Sequence, residues 1–239
     1  MKIMLDCSPA KIMEYRERYG EDFWQLRTPL TNYARAPGIP YGLDNGCFKS
    51  FDRPAWNRLL EQAEEDAPVF ACLPDIVGDA QRTVELFTYF RSFTNGIPRA
   101  LVLQDGIEHA TIPWDDLAAV FIGGSDAFKI CPIAIRAAKT AKMLGKWVHV
   151  GRVNTAKRVR NWVGIADSID GSGISRYDHM LEDVLAQIKG EYPQYMMEYK
   201  YNAADYVGAD TREDSVRQAS DTPFDAYSAS KIKGNANDK

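Results

Sequence analysis

Short apolar runs alternate with amphipathic segments along most of this chain, and most of the apolar runs close on an aspartate, a glycine or both. The runs are Lys2–Asp6, Tyr41–Leu43, Pro68–Leu73, Pro98–Leu103, Ala118–Ile122, Lys146–Val150 and Ser168-Ile169. Between them lie segments with helical periodicity: Ala10–Tyr19, Pro54–Asp66, Asp79–Phe93, Pro132–Leu144, Thr155–Val163 and Tyr177–Lys189. Asp52 is placed to cap the second of these, and Gly145 to stop the fourth. Thr28–Pro40 carries three prolines and reads as a long loop. Strand and helix alternating in this way specify an α/β fold with a parallel sheet. The length of 239 residues suits a (β/α)8 TIM-type barrel, for which about 250 is usual. Only about seven strands are legible, so the barrel is expected to be irregular or incomplete. A doubly wound open sheet is the alternative, but no G-x-G-x-x-G follows the first strand.

The barrel is expected to span residues 1–201. Residues 202–239 have few large apolar side chains and mixed charge, and read as a polar, poorly ordered tail. No apolar run reaches the roughly 20 residues needed to span a bilayer. The first residues meet a charge too soon for a signal peptide, so a cytoplasmic protein is expected, with no membrane partner. The four cysteines and three histidines show no metal-ligand or disulfide spacing, so neither a bound metal nor another cofactor is expected.

In a barrel of this kind, residues that follow the strands share one mouth. Five strand-end signals then converge: Asp44-Asn45-Gly46, Pro74-Asp75, Gln104-Asp105-Gly106, Gly123-Gly124-Ser125 and Asp170-Gly171-Ser172-Gly173. An Asp before Gly is more often a turn residue than a catalyst. Five such signals at successive strand ends shift that weighing. Two carboxylates across a sugar can cleave a glycosidic bond, one attacking or stabilising C1′ and the other moving a proton. Asp170 and Asp44 are the candidate pair. The other signals suit a planar heterocycle with the hydrogen-bonding edge of guanine. Asp75 can accept from N1–H and an amine. Gln104 and the backbone N–H groups of Gly123 and Gly124 can donate to a carbonyl, and Phe48 can stack on the ring. His149 alternates with Val148 and Val150, so it is either a core histidine or a residue beside the base.

The series LDNGCF, LPD, LQDG, FIGGS, VHVGR and SIDGSG, running from Leu43 to Gly173, resembles the tRNA-guanine transglycosylase superfamily. It looks closest to the branch of phage-type 7-deazaguanine DNA transglycosylases. The resemblance covers Tyr41 to Tyr177. It implies a barrel enzyme that replaces guanine in a nucleic acid by a 7-deazaguanine such as preQ0. It further implies Asp170 as nucleophile, Asp44 as acid/base, Phe48 as the stacking aromatic, Asp75 and Gln104 as base-recognition groups, and Gly123 and Gly124 as backbone donors. For a phage-borne protein the compartment would be the host cytoplasm.

The chain departs from the family pattern in three places. It lacks the cysteine-rich zinc site that tRNA-acting members carry after the nucleophile strand. The usual Asp-Ser-Gly-Gly-Phe reads Asp44-Asn45-Gly46-Cys47-Phe48, and the basic stretch after the nucleophile shrinks to Ser175-Arg176. The missing zinc module favours DNA over tRNA as the polynucleotide partner.

From Ala127 to Ala166 there are nine Lys or Arg and no Asp or Glu, within a chain of net charge −4. Some of these are ordinary solvated helix faces. Arg152, Lys157 and Arg158, together with Arg176, are the candidates for the nucleic-acid backbone, with Asn154-Thr155 offering N–H groups at a helix start. A base inside a duplex cannot reach a barrel mouth, so a single strand or a flipped guanine is expected. The rival functions are tRNA-guanine exchange, a barrel hydrolase using the same Asp pair, and a non-catalytic nucleic-acid-binding protein.

Overall fold

The structure is a computed structural model and describes residues 1–190 apart from Glu21, Asn32 and Asn95. The expected tail at 202–239 lies outside the described residues. Eight strands, β1 (Lys2–Leu5), β2 (Phe23–Arg27), β3 (Tyr41–Leu43), β4 (Phe70–Cys72), β5 (Arg99–Leu103), β6 (Ala119–Ile122), β7 (Trp147–Val150) and β8 (Ser168–Asp170), form a closed barrel in sequence order. Every pairing is parallel, and β1 closes on β8 with Met4 opposite Asp170. The TIM-type barrel expected from the alternation is therefore the fold.

Among the described residues six α-helices accompany the strands: α1 (Pro9–Tyr19), α2 (Arg53–Glu65), α3 (Ala80–Phe90), α4 (Pro132–Met143), α5 (Ala156–Arg160) and α6 (Asp178–Lys189). Their starts follow local chemistry. Ser8, Asp52, Asp79 and Thr155 each accept a backbone N–H from the first turn of the helix they precede. The irregularity lies in two connections that lack an α-helix. A loop joins β2 to β3, and the short 3-10 turns Ile107–His109 and Trp114–Asp116 join β5 to β6. No described helix is long and apolar enough to cross a membrane.

The strand that the sequence pattern does not announce is β2, Phe-Trp-Gln-Leu-Arg. Its polar residues face outward but are buried. Gln25 Nε2 donates to Ala34 O (2.8 Å), and Gln25 Oε1 accepts from Ala36 N (2.8 Å), which ties down the loop that stands in for a helix. Arg27 reaches Gln62 of α2 (2.8 Å). The barrel interior is a separate core of Met4, Leu26, Phe70, Cys72, Ala100, Val102, Ala119 and Phe121. Trp24 and Trp147 stack at 5.5 Å and close the end from which the strands start. Gly42 makes room for the core, since a Cβ there would lie 2.7 Å from the Phe70 ring.

Candidate active site

Because all eight strands run the same way, the residues that follow them meet at one end of the barrel. Asp6 follows β1, Asp44 β3, Asp75 β4, Gln104 β5, Gly123 and Gly124 β6, and Gly151 and Arg152 β7, while Asp170 ends β8. The strand-end residues singled out from the sequence are brought together there.

Asp170 is 9% exposed and held at both oxygens. Its Oδ1 accepts the backbone N–H of Arg152 (3.0 Å), and its Oδ2 lies 2.8 Å from His149 Nε2. His149 is fully buried, with its ring against Phe121 and Phe70. Its Nδ1 lies 2.8 Å from Ser168 Oγ, which also receives Trp147 Nε1–H (2.8 Å). The indole N–H can only donate, so Ser168 accepts there, and its own hydroxyl hydrogen is free to go to His149 Nδ1. Nε2 then carries the ring hydrogen and donates it to Asp170. The opposite tautomer would set a bare Nε2 lone pair against the carboxylate. His149 thus lies beneath Asp170, with both ring nitrogens used, and does not reach the place beside a base that was one of its two expected positions. Gly151 permits this packing, because a Cβ there would fall 2.5 Å from the Phe121 ring.

Asp44 has a different environment. It accepts the N–H groups of Asn45 (2.8 Å) and Gly46, which oppose the effect of its burial without cancelling it. Desolvation, reinforced by the charges of Asp170 and Asp75, raises its pKa to about 7. The two aspartates are therefore unequal. Asp170 is held at both oxygens by a histidine and a backbone N–H, whereas Asp44 accepts backbone N–H groups and has its pKa raised to about 7.

Asp75 is buried, and burial raises its pKa. The donors Asn45 Nδ2 (2.8 Å), Gln104 Nε2 and the Cys47 thiol oppose that shift. A carboxylate has about four acceptor positions, so little capacity remains for two bonds from a base unless a protein donor gives way. Gln104 is equally engaged, since its Oε1 accepts Gly78 N (3.0 Å) and its Nε2 holds Asp75. Its second amide hydrogen is the part left for a ligand. The Gly123 N–H, expected to face a carbonyl of the base, donates instead to Leu103 O (3.0 Å) as part of the sheet. Gly124 turns with φ +69°, packed so closely on Phe128 and Asp105 that a Cβ would fall within 2.7 Å of both. Asp105 is a brace, accepting Ser125 N (2.8 Å) and Ser125 Oγ (2.6 Å).

Phe48 stands at the rim, 61% exposed, with the Arg152 guanidinium 4.3 Å from its ring centre. Arg152 is the only non-glycine among the described residues with positive φ (59°). That backbone aims its N–H at Asp170, and its guanidinium donates to Gly124 O (2.7 Å). Arg158 pairs with Asp126 and reaches Arg152 O (3.3 Å). Lys157 and Arg176 are exposed. The basic stretch does not form one surface, however. Lys142 pairs with Asp167 (2.5 Å), just before β8, at the opposite end of the barrel from the mouth. Asn154 and Thr155 are also committed, Asn154 Oδ1 to Gly173 N (2.7 Å) and Thr155 to the start of α5.

Two residues at the mouth were not singled out in the sequence. Asp6 accepts Thr31 Oγ1 (2.5 Å), and its pKa is raised by burial and by Asp170, with Thr31 and Arg176 opposing. Its signal was present, an apolar strand ending on Asp, but no glycine follows it. Lys129 is buried between Phe128 and Ile130, and nothing in the sequence separates it from the other eight cations of its stretch. No group of His, Cys, Asp and Glu suited to a metal ion occurs among the described residues.

No family model matches this chain, and no curated protein matches it.

Proposed function

We propose that this protein is a transglycosylase that exchanges guanine in a polynucleotide, DNA in the first place, for a 7-deazaguanine. The observation that carries the reading is the inequality of the two aspartates at one barrel mouth. Environments that separate two carboxyl groups in this way give them different tasks. Asp170 is pinned by His149 and the Arg152 N–H, which aligns a carboxylate for attack. Asp44, with its pKa near 7, can give a proton and take one back at neutral pH.

The reaction follows from these roles. A carboxylate oxygen of Asp170 attacks C1′ of the guanosine, and the C1′–N9 bond breaks with its electron pair leaving on the guanine. Asp44 supplies the proton that neutralises the departing base. The 7-deazaguanine enters, its N9–H proton passes to the Asp44 carboxylate, and N9 attacks C1′. The Asp170–C1′ bond breaks, and the carboxylate returns to its two donors, which stabilise it as a leaving group. No oxidant, reductant or net proton is needed. The second amide hydrogen of Gln104 is left for the base, Asp75 accepts from the base once a protein donor gives way, and Phe48 offers its ring once Arg152 moves aside.

The test is incubation of the full chain with guanine-containing single-stranded DNA, duplex DNA or tRNA and an isotope-labelled 7-deazaguanine, followed by mass spectrometry of the digested nucleosides. Label in DNA nucleosides with release of guanine supports the reading. Loss of guanine with no label incorporated would make the protein a hydrolase, and label in tRNA alone would move the substrate to tRNA.

A further inference from the structure

Lys129 lies in the turn after β6, 4% exposed, and its Nζ has no hydrogen-bond partner among the described residues. Its charged neighbours come from three successive strand ends: Asp126 after β6, Arg152 and Arg158 after β7, and Asp170 on β8. Both carboxylates are already engaged, Asp126 by Arg158 and Asp170 by His149 and the Arg152 N–H. The Arg152 guanidinium has a carbonyl and an aromatic ring as partners, but no carboxylate among the described residues. Lys129 has no hydrogen-bond acceptor, and Arg152 has no carboxylate partner among the described residues, so two cations with donors to spare stand near the proposed nucleophile. Burying an ammonium with no acceptor is unfavourable, because the charge loses its water and gains no partner in exchange. An anion arriving at the mouth would recover that cost.

We propose that Lys129 and Arg152 form an oxyanion pocket that takes the phosphate next to the reacting nucleoside. This rests on the base-exchange reading and makes the substrate a nucleotide within a phosphodiester chain, not a free nucleoside. A compact ammonium beside a planar guanidinium suits a tetrahedral oxyanion with several acceptor oxygens. The strand-end loops of TIM-type barrels are recurrent phosphate sites. Burial and the Arg152 charge bring the Lys129 pKa down to about 8, with Asp170 and Asp126 pulling upward and Arg158 downward. An arriving phosphate would raise it again and secure the charge. The Arg152 side chain is the movable part. Turning it from the Phe48 ring toward the phosphate frees that ring for the base, so backbone binding and base stacking are linked.

The experiment uses the full chain and single-stranded oligonucleotides holding one guanosine, with either native linkages or a neutral methylphosphonate in place of the phosphate on its 5′ or its 3′ side. Affinity is measured for wild type, Lys129→Met and Lys129→Arg, alongside titration with inorganic phosphate. We expect one methylphosphonate position to weaken wild type about tenfold, as loss of a charge-assisted contact should. Lys129→Met should bind the native oligonucleotide about tenfold more weakly and be indifferent to that methylphosphonate, while Lys129→Arg keeps the discrimination. The Met variant should be at least as heat-stable as wild type, because it removes an unpaired buried charge. Equal weakening of wild type and Lys129→Met by every methylphosphonate would overturn the pocket. Lys129-dependent binding of inorganic phosphate with no methylphosphonate effect would overturn the phosphodiester assignment in favour of a small phosphorylated substrate. If the Lys129-dependent discrimination holds and no base is exchanged, the pocket stands and the transglycosylase reading falls.

Discussion

Replacing Asp44 by Asn tests the electrostatics of the mouth without reference to any substrate. The native fold holds the Asp44 proton up to a pKa of about 7, against an ordinary value of 3.8. The stability that protonated Asp44 contributes is therefore complete below the unfolded pKa and is lost as pH rises through the folded one. An asparagine at this position would mimic the protonated side chain at every pH and still accept the Asn45 N–H. Between about pH 5 and pH 8 the wild type should lose stability relative to Asp44→Asn at about 1.4 kcal/mol per pH unit, until the titration ends near 7. That amounts to about 3 kcal/mol, and water at the outer edge of the carboxylate trims it to on the order of 2–3. For a domain of this size the variant should gain roughly 5–10 °C in Tm over wild type between the two pH values. Urea or thermal denaturation of both proteins at the two pH values measures it, and changes common to both cancel in the difference. A difference that does not change with pH would refute the raised pKa, and with it the assignment of Asp44 as proton carrier.

Two further substitutions probe the groups around Asp170. Arg152 adopts φ 59°, where a Cβ is strained, so Arg152→Gly should be about 1 kcal/mol more stable than Arg152→Ala, as read by chemical denaturation. Equal stabilities would mean that no strain is held there. His149→Phe keeps the ring packing but removes the donor to Asp170 and leaves Ser168 facing carbon, which should cost about 1–3 kcal/mol of stability. With one donor gone, Asp170 becomes a poorer leaving group, so kcat should fall about tenfold or more, and KM for the polynucleotide should fall with it as covalent adduct accumulates. A purely structural His149 would lower the yield of folded protein without changing the proportion of adduct.

Much of the fold was legible because barrel strands here are short, apolar and punctuated. Asp44-Asn45-Gly46 and Asp170-Gly171 marked the ends of β3 and β8, and the prolines of Thr28–Pro40 marked a loop. Strand β2 was not legible because Gln25 and Arg27 break the apolar run. Their burial is satisfied by a distant loop and by Gln62, which no local pattern encodes. The helix expected over Thr155–Val163 forms only at Ala156–Arg160, after which the chain turns before β8. At the site, the positions of Asp44, Asp75, Gln104 and Asp170 followed from the parallel order of strands. Their partners did not. His149 meets Ser168 because β7 and β8 pair with those two residues in register, a relation set by barrel closure and not by spacing. Gly123 was expected as a free donor, but strand β6 continues its hydrogen bonding one residue further and uses that N–H. Charge counting found the basic stretch. It could not separate Lys142, paired at the far end of the barrel, from Lys129, buried and unpaired at the mouth.

The most direct measurement of the proposed chemistry is to mix the protein with a guanine-containing oligonucleotide, quench in denaturant, digest, and map any peptide–sugar adduct by mass spectrometry. An adduct on Asp170 that is absent from Asp170→Ala, while that variant still binds the oligonucleotide, is the predicted result. An adduct on another residue, or label exchange that persists in Asp170→Ala, would contradict it.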